Sequence, residues 1–403
     1  MTDRPTLRVG LAGAGFLATT RARCWRRVFG VDVTLAAVAA STPERARAFA
    51  DQHGIPSAVG GFDELVSRDD VDVIDVCLPN VAHRAAVVAA AEAGKSIICT
   101  KPLTAYVGQD LAGDATDEDI SGRDRRTMAA VAVTEARAMV AAADRAGVAL
   151  MYGENWVYAP AIRRAADLLA SGQGRLLEMR GEEAHSGSHA AYARRWRAAG
   201  GGALLRLGSH PIGAMLHLKR VEGLRDGGAP IDVIAVTADV ADPLAAAPAG
   251  ATALAAPERD TESWGCVVLH FADGTRGTAF GSDLVLGGMR SRLELRASDA
   301  RLVCNLSPHD QLSAYAAQDG AFGESYIMEK LDGQAGWSTP LPEEDESSGQ
   351  QAMIQAFAEA AVAGAAPASD GALGLDVVRV LAAAYVSASE GRRVALAEVD
   401  EGA

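Results

Sequence analysis

Residues 8–18, Arg8-Val9-Gly10-Leu11-Ala12-Gly13-Ala14-Gly15-Phe16-Leu17-Ala18, read as a short buried strand that runs into a glycine turn and out into a helix. No other stretch limits the fold as tightly. Gly13 makes the tight turn, Gly15 lets the backbone come close to a phosphate, and Ala18 is small enough for the helix to pack on the strand. The N–H groups that open the helix, with Phe16 and Leu17 among its first residues, then suit the pyrophosphate of a dinucleotide. The same glycines serve purely structural turns in other chains. Here the turn follows the first hydrophobic strand of an alternating strand and helix pattern, which favours the cofactor reading.

That pattern continues through roughly the first 105 residues, with strands expected at 7–12, 33–39, 73–78 and 96–99, and another at 149–152. Helical segments fall around 18–28, 43–53, 62–67 and 82–93, and Thr42-Pro43 is a cap and first-turn pair for the second of them. Residues 107–126 are rich in Gly and Asp and lack periodicity, so a surface insertion is expected there before helix resumes over 127–146. Beyond Pro160 the pattern changes to a helix followed by β-rich stretches at 176–183, 231–240, 263–271, 275–286 and 291–304. An Ala/Pro-rich connection at 241–256 reads as a loop, and helices at 350–363 and 374–389 should cover one face of a sheet. The division expected is 1–153 for a dinucleotide-binding domain and 154–403 for a second domain of α+β type.

Composition narrows the function. A length of 403 residues, 49% hydrophobic and 22% charged, is enough for two full cores. A net charge of −14 argues against nucleic acid or an anionic membrane as partner, since either calls for a concentrated basic surface. With no uninterrupted apolar run of transmembrane length and no signal-peptide pattern, a cytoplasmic protein is expected. Cys24, Cys77, Cys99, Cys266 and Cys304 are scattered without C-x-x-C spacing, so neither a disulfide framework nor a metal site is suggested.

The cofactor reading turns on the end of the second strand, where an acidic residue would accept hydrogen bonds from the adenosine ribose of NAD. The chain there reads Ala39-Ala40-Ser41-Thr42, without a carboxylate, and Arg45 follows one turn later. Hydroxyls and a guanidinium suit a 2′-phosphate, which favours NADP over NAD; Arg45 reads equally as an ordinary solvated helix residue. Leu78-Pro79-Asn80 then makes a turn at the carboxyl end of a parallel strand, with His83 three residues on, and Thr100-Lys101-Pro102 places a lysine at the end of the next.

At this point the chain resembles the Gfo/Idh/MocA family of sugar and inositol dehydrogenases. The resemblance rests on the glycine turn, Pro79-Asn80-x-x-His83, Lys101-Pro102, Gly153-Glu154-Asn155-Trp156, Trp196-Arg197, and Gly200-Gly201-Gly202 leading to Gly208-Ser209-His210. It also takes in the closing Ser387-Ala388-Ser389-Glu390-Gly391. It implies a Rossmann-like, doubly wound N-terminal sheet and a C-terminal α+β domain with an open, mainly antiparallel sheet that often carries dimer or tetramer contacts. It also implies a sugar, polyol or glycoside as substrate, Lys101 on the reacting oxygen and His210 as acid/base. The chemistry agrees, because oxidising a secondary alcohol needs a hydride acceptor, a base for the hydroxyl proton and a positive group for the developing alkoxide.

Bland readings stand beside these. Lys101 can be a solvated loop charge, and His210 competes with His83, His185, His189 and with His217, which reads as a packed helix residue. Asn155, Tyr158, Trp196 and Arg197 serve as sugar contacts or as interdomain packing. Two departures from the family pattern matter. The usual Glu-Lys-Pro is Thr100-Lys101-Pro102, and the position four before the histidine, commonly Asp, is Arg206. A guanidinium beside the imidazole would disfavour its charged form; pointing elsewhere, Arg206 would reach a substrate carboxylate or ring oxygen. Pro211 suggests that His210 sits in a first helical turn capped by Ser209. A glycosidase using NAD for transient oxidation and elimination, or a dinucleotide-dependent regulator without catalysis, are the competing functions.

Overall fold

The computed structural model describes residues 4–188, 190–247, 252–254, 259–323, 325–327 and 333–402. The first half builds a six-stranded sheet from β1 (Thr6–Ala12), β2 (Asp32–Ala39), β3 (Ser57–Val59), β4 (Val73–Val76), β5 (Ser96–Thr100) and β6 (Leu150–Gly153). Every pairing is parallel and the order is β3-β2-β1-β4-β5-β6, so the chain reverses direction across the sheet between β1 and β4. Ligand crevices of doubly wound sheets open at the carboxyl ends of the strands at such a switch. β3 was not expected: its three residues, Ser57-Ala58-Val59, are too few to show a periodicity.

Helices follow where the patterning asks for them. Thr42 caps Pro43–Gln52 by accepting from the Arg45 amide, and Pro43 occupies the first turn. Asp124 caps the 22-residue helix Arg125–Ala146, which ends on Gly147 in the left-handed conformation. The expected insertion holds a turn of helix, Asp117–Ser121, closed by a reciprocal capping box between Thr116 and Asp119. In the first helix, Phe16–Arg26, Trp25 is fully buried and donates to the buried Asp75 of β4 at 2.9 Å.

The second half forms a seven-stranded sheet from β7 (Leu176–Ala184), β8 (Val233–Ala241), β9 (Trp264–Phe271), β10 (Arg276–Ser282), β11 (Arg290–Ala297), β12 (Arg301–Asn305) and β15 (Val394–Ala395). Between the last two in sequence lies a separate hairpin of β13 (Ala314–Ala316) and β14 (Gly336–Ser338). The sheet order is β12-β11-β7-β10-β9-β8-β15, antiparallel except for the β7–β10 pair. Two expected strands are corrected. The run 275–286 stops at Ser282, and 291–304 is two strands folded back at Ser298-Asp299-Ala300. The connection at 241–256 includes a 3₁₀ turn at Pro243–Ala246, with 248–251 and 255–256 outside the described residues.

In β9 the odd-numbered Gly265, Val267, Leu269 and Phe271 are buried and their neighbours only partly so, the alternation of a sheet covered on one face. The covering helices are Ser209–Gly227 and Gly371–Glu390. The latter also packs on Arg125–Ala146. By length and composition alone it could cross a bilayer, but Asp376 and Arg379 interrupt its apolar run and most of that stretch is buried. Gln350–Ala363 lies against Phe16–Arg26. Just before it an acidic segment grips that same helix: Arg23 meets Asp345 at 2.9 Å and Arg27 meets Glu346 at 2.9 Å and Glu343 at 3.4 Å.

Candidate active site

Where the carboxyl ends of β1, β4, β5 and β6 face the second sheet, they bound a cleft of about 1190 Å³. The glycine turn forms part of its wall. Gly13 has φ +120°, its amide donates to the Ala39 carbonyl at 2.8 Å, and a Cβ there would sit 2.4 Å from the Cys77 carbonyl oxygen. Gly15 is different: its backbone is extended, and a Cβ would meet nothing within 4 Å. No side chain caps the helix it starts, so the first N–H groups are left to a ligand. A turn whose second glycine borders open space fits a phosphate lying against the backbone.

Ser41 and Arg45 line the same cleft, with Arg45 donating to the Ser41 hydroxyl at 3.0 Å. Thr42 is occupied as a helix cap. Leu78, Pro79, Asn80 and Thr100 also line it, and the Asn80 amide reaches the Ala199 carbonyl at 2.5 Å. His83 does not. It is buried with Nε2 at 2.9 Å from the Leu78 carbonyl and Nδ1 at 3.1 Å from those of Pro102 and Leu103, and burial lowers its pKa. It ties together the loops that leave β4 and β5, a structural task in place of the expected cofactor contact.

Lys101 and His210 meet in the cleft. Lys101 follows β5, before a cis peptide bond to Pro102, and its ammonium donates to the Arg206 carbonyl. That carbonyl belongs to a π-helical turn, Leu204–Gly208, that runs directly into Ser209–Gly227. A π turn displaces the helical ladder and frees backbone groups, which is why such turns recur at functional sites. Ser209 therefore does not cap the helix; its hydroxyl donates to the same Arg206 carbonyl at 3.3 Å.

The carboxylate missing four residues before His210 arrives from the end of β6, 56 residues earlier. Glu154, directly after β6 and fully buried, places Oε1 2.6 Å from His210 Nδ1 and also accepts from the Trp156 amide at 3.1 Å. The Trp156 ring stacks on the imidazole, 5.9 Å between centroids at 15°. Burial lowers the pKa of His210, Lys101 adds to that, and Glu154 opposes it, leaving a neutral imidazole at physiological pH.

Arg206 turns away from this pair. Its guanidinium holds the buried Asp283 at 2.6 Å, which Arg259 also approaches at 3.4 Å. Tyr158, by contrast, is withdrawn from the cleft that Arg206 still lines: its hydroxyl accepts from the Ser369 amide at 2.9 Å and its ring meets Phe357 edge-on. Trp196 is buried outside the cleft, donating to the Tyr106 carbonyl at 3.0 Å beneath the Arg125 guanidinium. Arg197 is held by Asp117 and, at 2.7 Å, by the Ala115 carbonyl of the insertion. Asn155 does line the cleft, donating to the Ser348 carbonyl at 2.7 Å. His185 lines it as well and accepts from the Gly187 amide; His217 is a half-buried helix residue, and His189 lies outside the described residues. Glu183, Ser188, Tyr192, Ser291 and Ser307 complete a polar lining that the bare sequence does not single out. Glu154 carried a usable signal, an acid at the carboxyl end of a parallel strand.

Residues 7–112 match an oxidoreductase family with an NAD-binding Rossmann fold, and residues 162–303 match the GFO/IDH/MocA C-terminal domain. The chain is 31% identical to the trans-1,2-dihydrobenzene-1,2-diol dehydrogenase of Bos taurus over 203 residues, 50% of this chain and 52% of that protein. It is 30% identical to the D-apiose dehydrogenase of Paraburkholderia graminis over 162 residues, 40% of this chain and 36% of that one. The matched region is thus about half, or less, of the length of these curated relatives. Among solved structures, GenD2 from gentamicin A biosynthesis, in complex with NAD, superposes with a TM-score of 0.76 at 25% identity, covering 97% of this chain and 96% of the other.

Proposed function

Because the chain belongs to the Gfo/Idh/MocA family of oxidoreductases, we propose that it is an NAD(P)-dependent dehydrogenase acting on a secondary hydroxyl or ketone of a sugar, inositol or glycoside. The observation that carries the reading is that Lys101 and His210, from different halves of the molecule, line one cleft with the Gly13–Gly15 turn. A bound nicotinamide dinucleotide would supply the hydride acceptor, or in reverse the donor. In the oxidation direction His210 takes the hydroxyl proton while the carbinol C–H leaves as hydride, and the Lys101 ammonium stabilises the oxygen as it becomes a carbonyl. The hydroxyls of Ser188, Tyr192, Ser291 and Ser307, with Glu183 and His185, suit a ligand rich in hydroxyl groups. Ser41 and Arg45, with no carboxylate in the strand end Ala39-Ala40-Ser41-Thr42, favour NADP over NAD.

We place the protein in a reducing cytoplasm, consistent with five cysteines that are all free, and assign the contact of a homo-oligomer to the open face of the second sheet, where Leu177, Ile234 and Val303 are exposed. The deciding experiment is a screen of sugars, inositols and glycosides for reduction of NAD and NADP, with light scattering for the oligomer. Turnover of a hydroxyl substrate that disappears in Lys101→Ala supports the reading. Glycoside cleavage without net cofactor reduction, or no dinucleotide binding at all, overturns it.

A further inference from the structure

We infer that Glu154 is the positioning residue of the acid/base histidine, and that the working pair joins the end of β6 in the first sheet to the helix Ser209–Gly227. The inference builds on the dehydrogenase reading above. The Oε1 to Nδ1 distance of 2.6 Å is that of a charge-assisted hydrogen bond. A carboxylate only accepts, so Nδ1 of the neutral imidazole must be the protonated nitrogen and Nε2 must carry the lone pair. The tautomer is thereby set by a residue 56 positions away in sequence, and the ring plane is fixed by the stack on Trp156.

The consequences for the reaction balance. The substrate hydroxyl gives its proton to Nε2 and the carbinol carbon gives its hydride to the nicotinamide dinucleotide. The imidazolium that results keeps its Nδ1 proton in the hydrogen bond to Glu154, which neutralises the new charge. Among the described residues the carboxylate hydrogen-bonded to the ring is that of Glu154. Arg206, one turn earlier, is engaged with Asp283. Lys101, after β5, presses the imidazole toward its neutral form. Tyr152 of β6 is a buried phenol, and Glu183 and His185, from β7 and the segment after it, line the cleft with hydrogen-bonding and charged groups of their own. The helix that carries His210 packs closely on this side chain: a Cβ at Gly213 would sit 2.8 Å from the Glu154 Cγ.

The test does not require the substrate. Protein labelled with ¹⁵N in its histidines, with His210→Gln to assign the resonance, reports the tautomer and titration of His210 directly by two-bond ¹⁵N–¹H correlations. The expected result is a neutral ring protonated at Nδ1. In Glu154→Gln the amide oxygen still accepts from Nδ1 while the charge is gone, so the midpoint should fall by about 1–3 pH units. Nicotinamide dinucleotide affinity, measured on the same samples, should stay within a few-fold. Once a substrate is known, Glu154→Gln should lower kcat while moving the acidic limb of the pH profile to lower pH, and Glu154→Asp should restore part of the rate. A ring protonated at Nε2 in the wild-type protein, or an unchanged midpoint in Glu154→Gln, overturns the inference even if the protein proves to be a dehydrogenase. Loss of dinucleotide binding in the wild-type protein instead counts against the dehydrogenase reading.

Discussion

Gly13 and Gly15 stand two residues apart in one turn, yet the structure gives them different reasons to be glycine, and paired substitutions should separate the two. In Gly13→Ala the backbone must hold φ near +120° with a Cβ 2.4 Å from the Cys77 carbonyl oxygen. Strain of that kind costs about 1–3 kcal/mol, and relieving the overlap by moving β1 against β4 adds a similar amount, so a loss of about 2–5 kcal/mol of stability is expected. In Gly15→Val the extended backbone accepts any residue and the added side chain meets no protein atom within 4 Å of its Cβ. Stability should then stay within about 0.5 kcal/mol of the parent. The branched side chain instead occupies the space that a pyrophosphate needs. Losing one or two charge-assisted hydrogen bonds of about 1.5–3 kcal/mol each raises the Kd by about 10- to 10⁴-fold. Urea unfolding gives the first quantity and titration calorimetry with NAD and NADP the second. A Gly15→Val protein that binds dinucleotide normally, or that unfolds as early as Gly13→Ala, would refute the division of roles.

Ala40→Asp, which places a carboxylate between Ala39 and Ser41 at the cleft, should move preference toward NAD, read as the ratio of the two dissociation constants; a ratio shifted toward NADP contradicts the assignment. His210→Ala should lower turnover by about 10²–10⁴-fold with dinucleotide affinity changed no more than a few-fold, and near-normal turnover would transfer the acid/base role elsewhere. Arg206→Asp should leave the His210 titration in place and instead destabilise the protein by about 3 kcal/mol, because it sets a second carboxylate beside the buried Asp283 and removes its nearest guanidinium, leaving Arg259 at 3.4 Å and His185 at 3.9 Å; chemical denaturation decides. His217 is held down to about 4 by burial and by Arg220, against 6.5 for a free histidine. Its unfolded form binds the extra proton below about pH 6.5, so stability should fall as pH drops from there toward 4, by on the order of 2–3 kcal/mol. His217→Gln should flatten that slope in pH-dependent unfolding.

What could be read from the sequence is what is local. The glycine turn, the strand that ends at Ala39, the strand expected over 96–99 that runs one residue further to Thr100, and the cap at Thr42 are decided by neighbours within a few residues. Lys101 and His210 were legible through the family's motif order. What is missing from any such reading is pairing at a distance. Arg206 was weighed as a neighbour of His210 because four residues bring side chains together on a regular helix, but a π turn lies between them and Asp283, 77 residues on, claims the guanidinium. Trp196, Arg197 and Tyr158 are residue types that suit sugars; only the backbone groups they meet, the Tyr106 and Ala115 carbonyls and the Ser369 amide, show that they hold the structure together.

The helix Gly371–Glu390 belongs by sequence to the second half and by contact to both. Its faces lie on Arg125–Ala146 and on β8, the Tyr152 amide donates to the Ser369 carbonyl just before it at 2.9 Å, and Arg126 grips Glu390 near its end at 2.5 Å. The cofactor half is therefore discontinuous along the chain, completed by segments that arrive more than two hundred residues later. A chimera cut after Gly153 and grafted onto a foreign partner would bare the apolar side of Arg125–Ala146, including Met128, Ala129 and Ala132, so a functional transplant has to carry the C-terminal helix with it. Cofactor preference in this protein is better changed in place, residue by residue, than by exchanging modules.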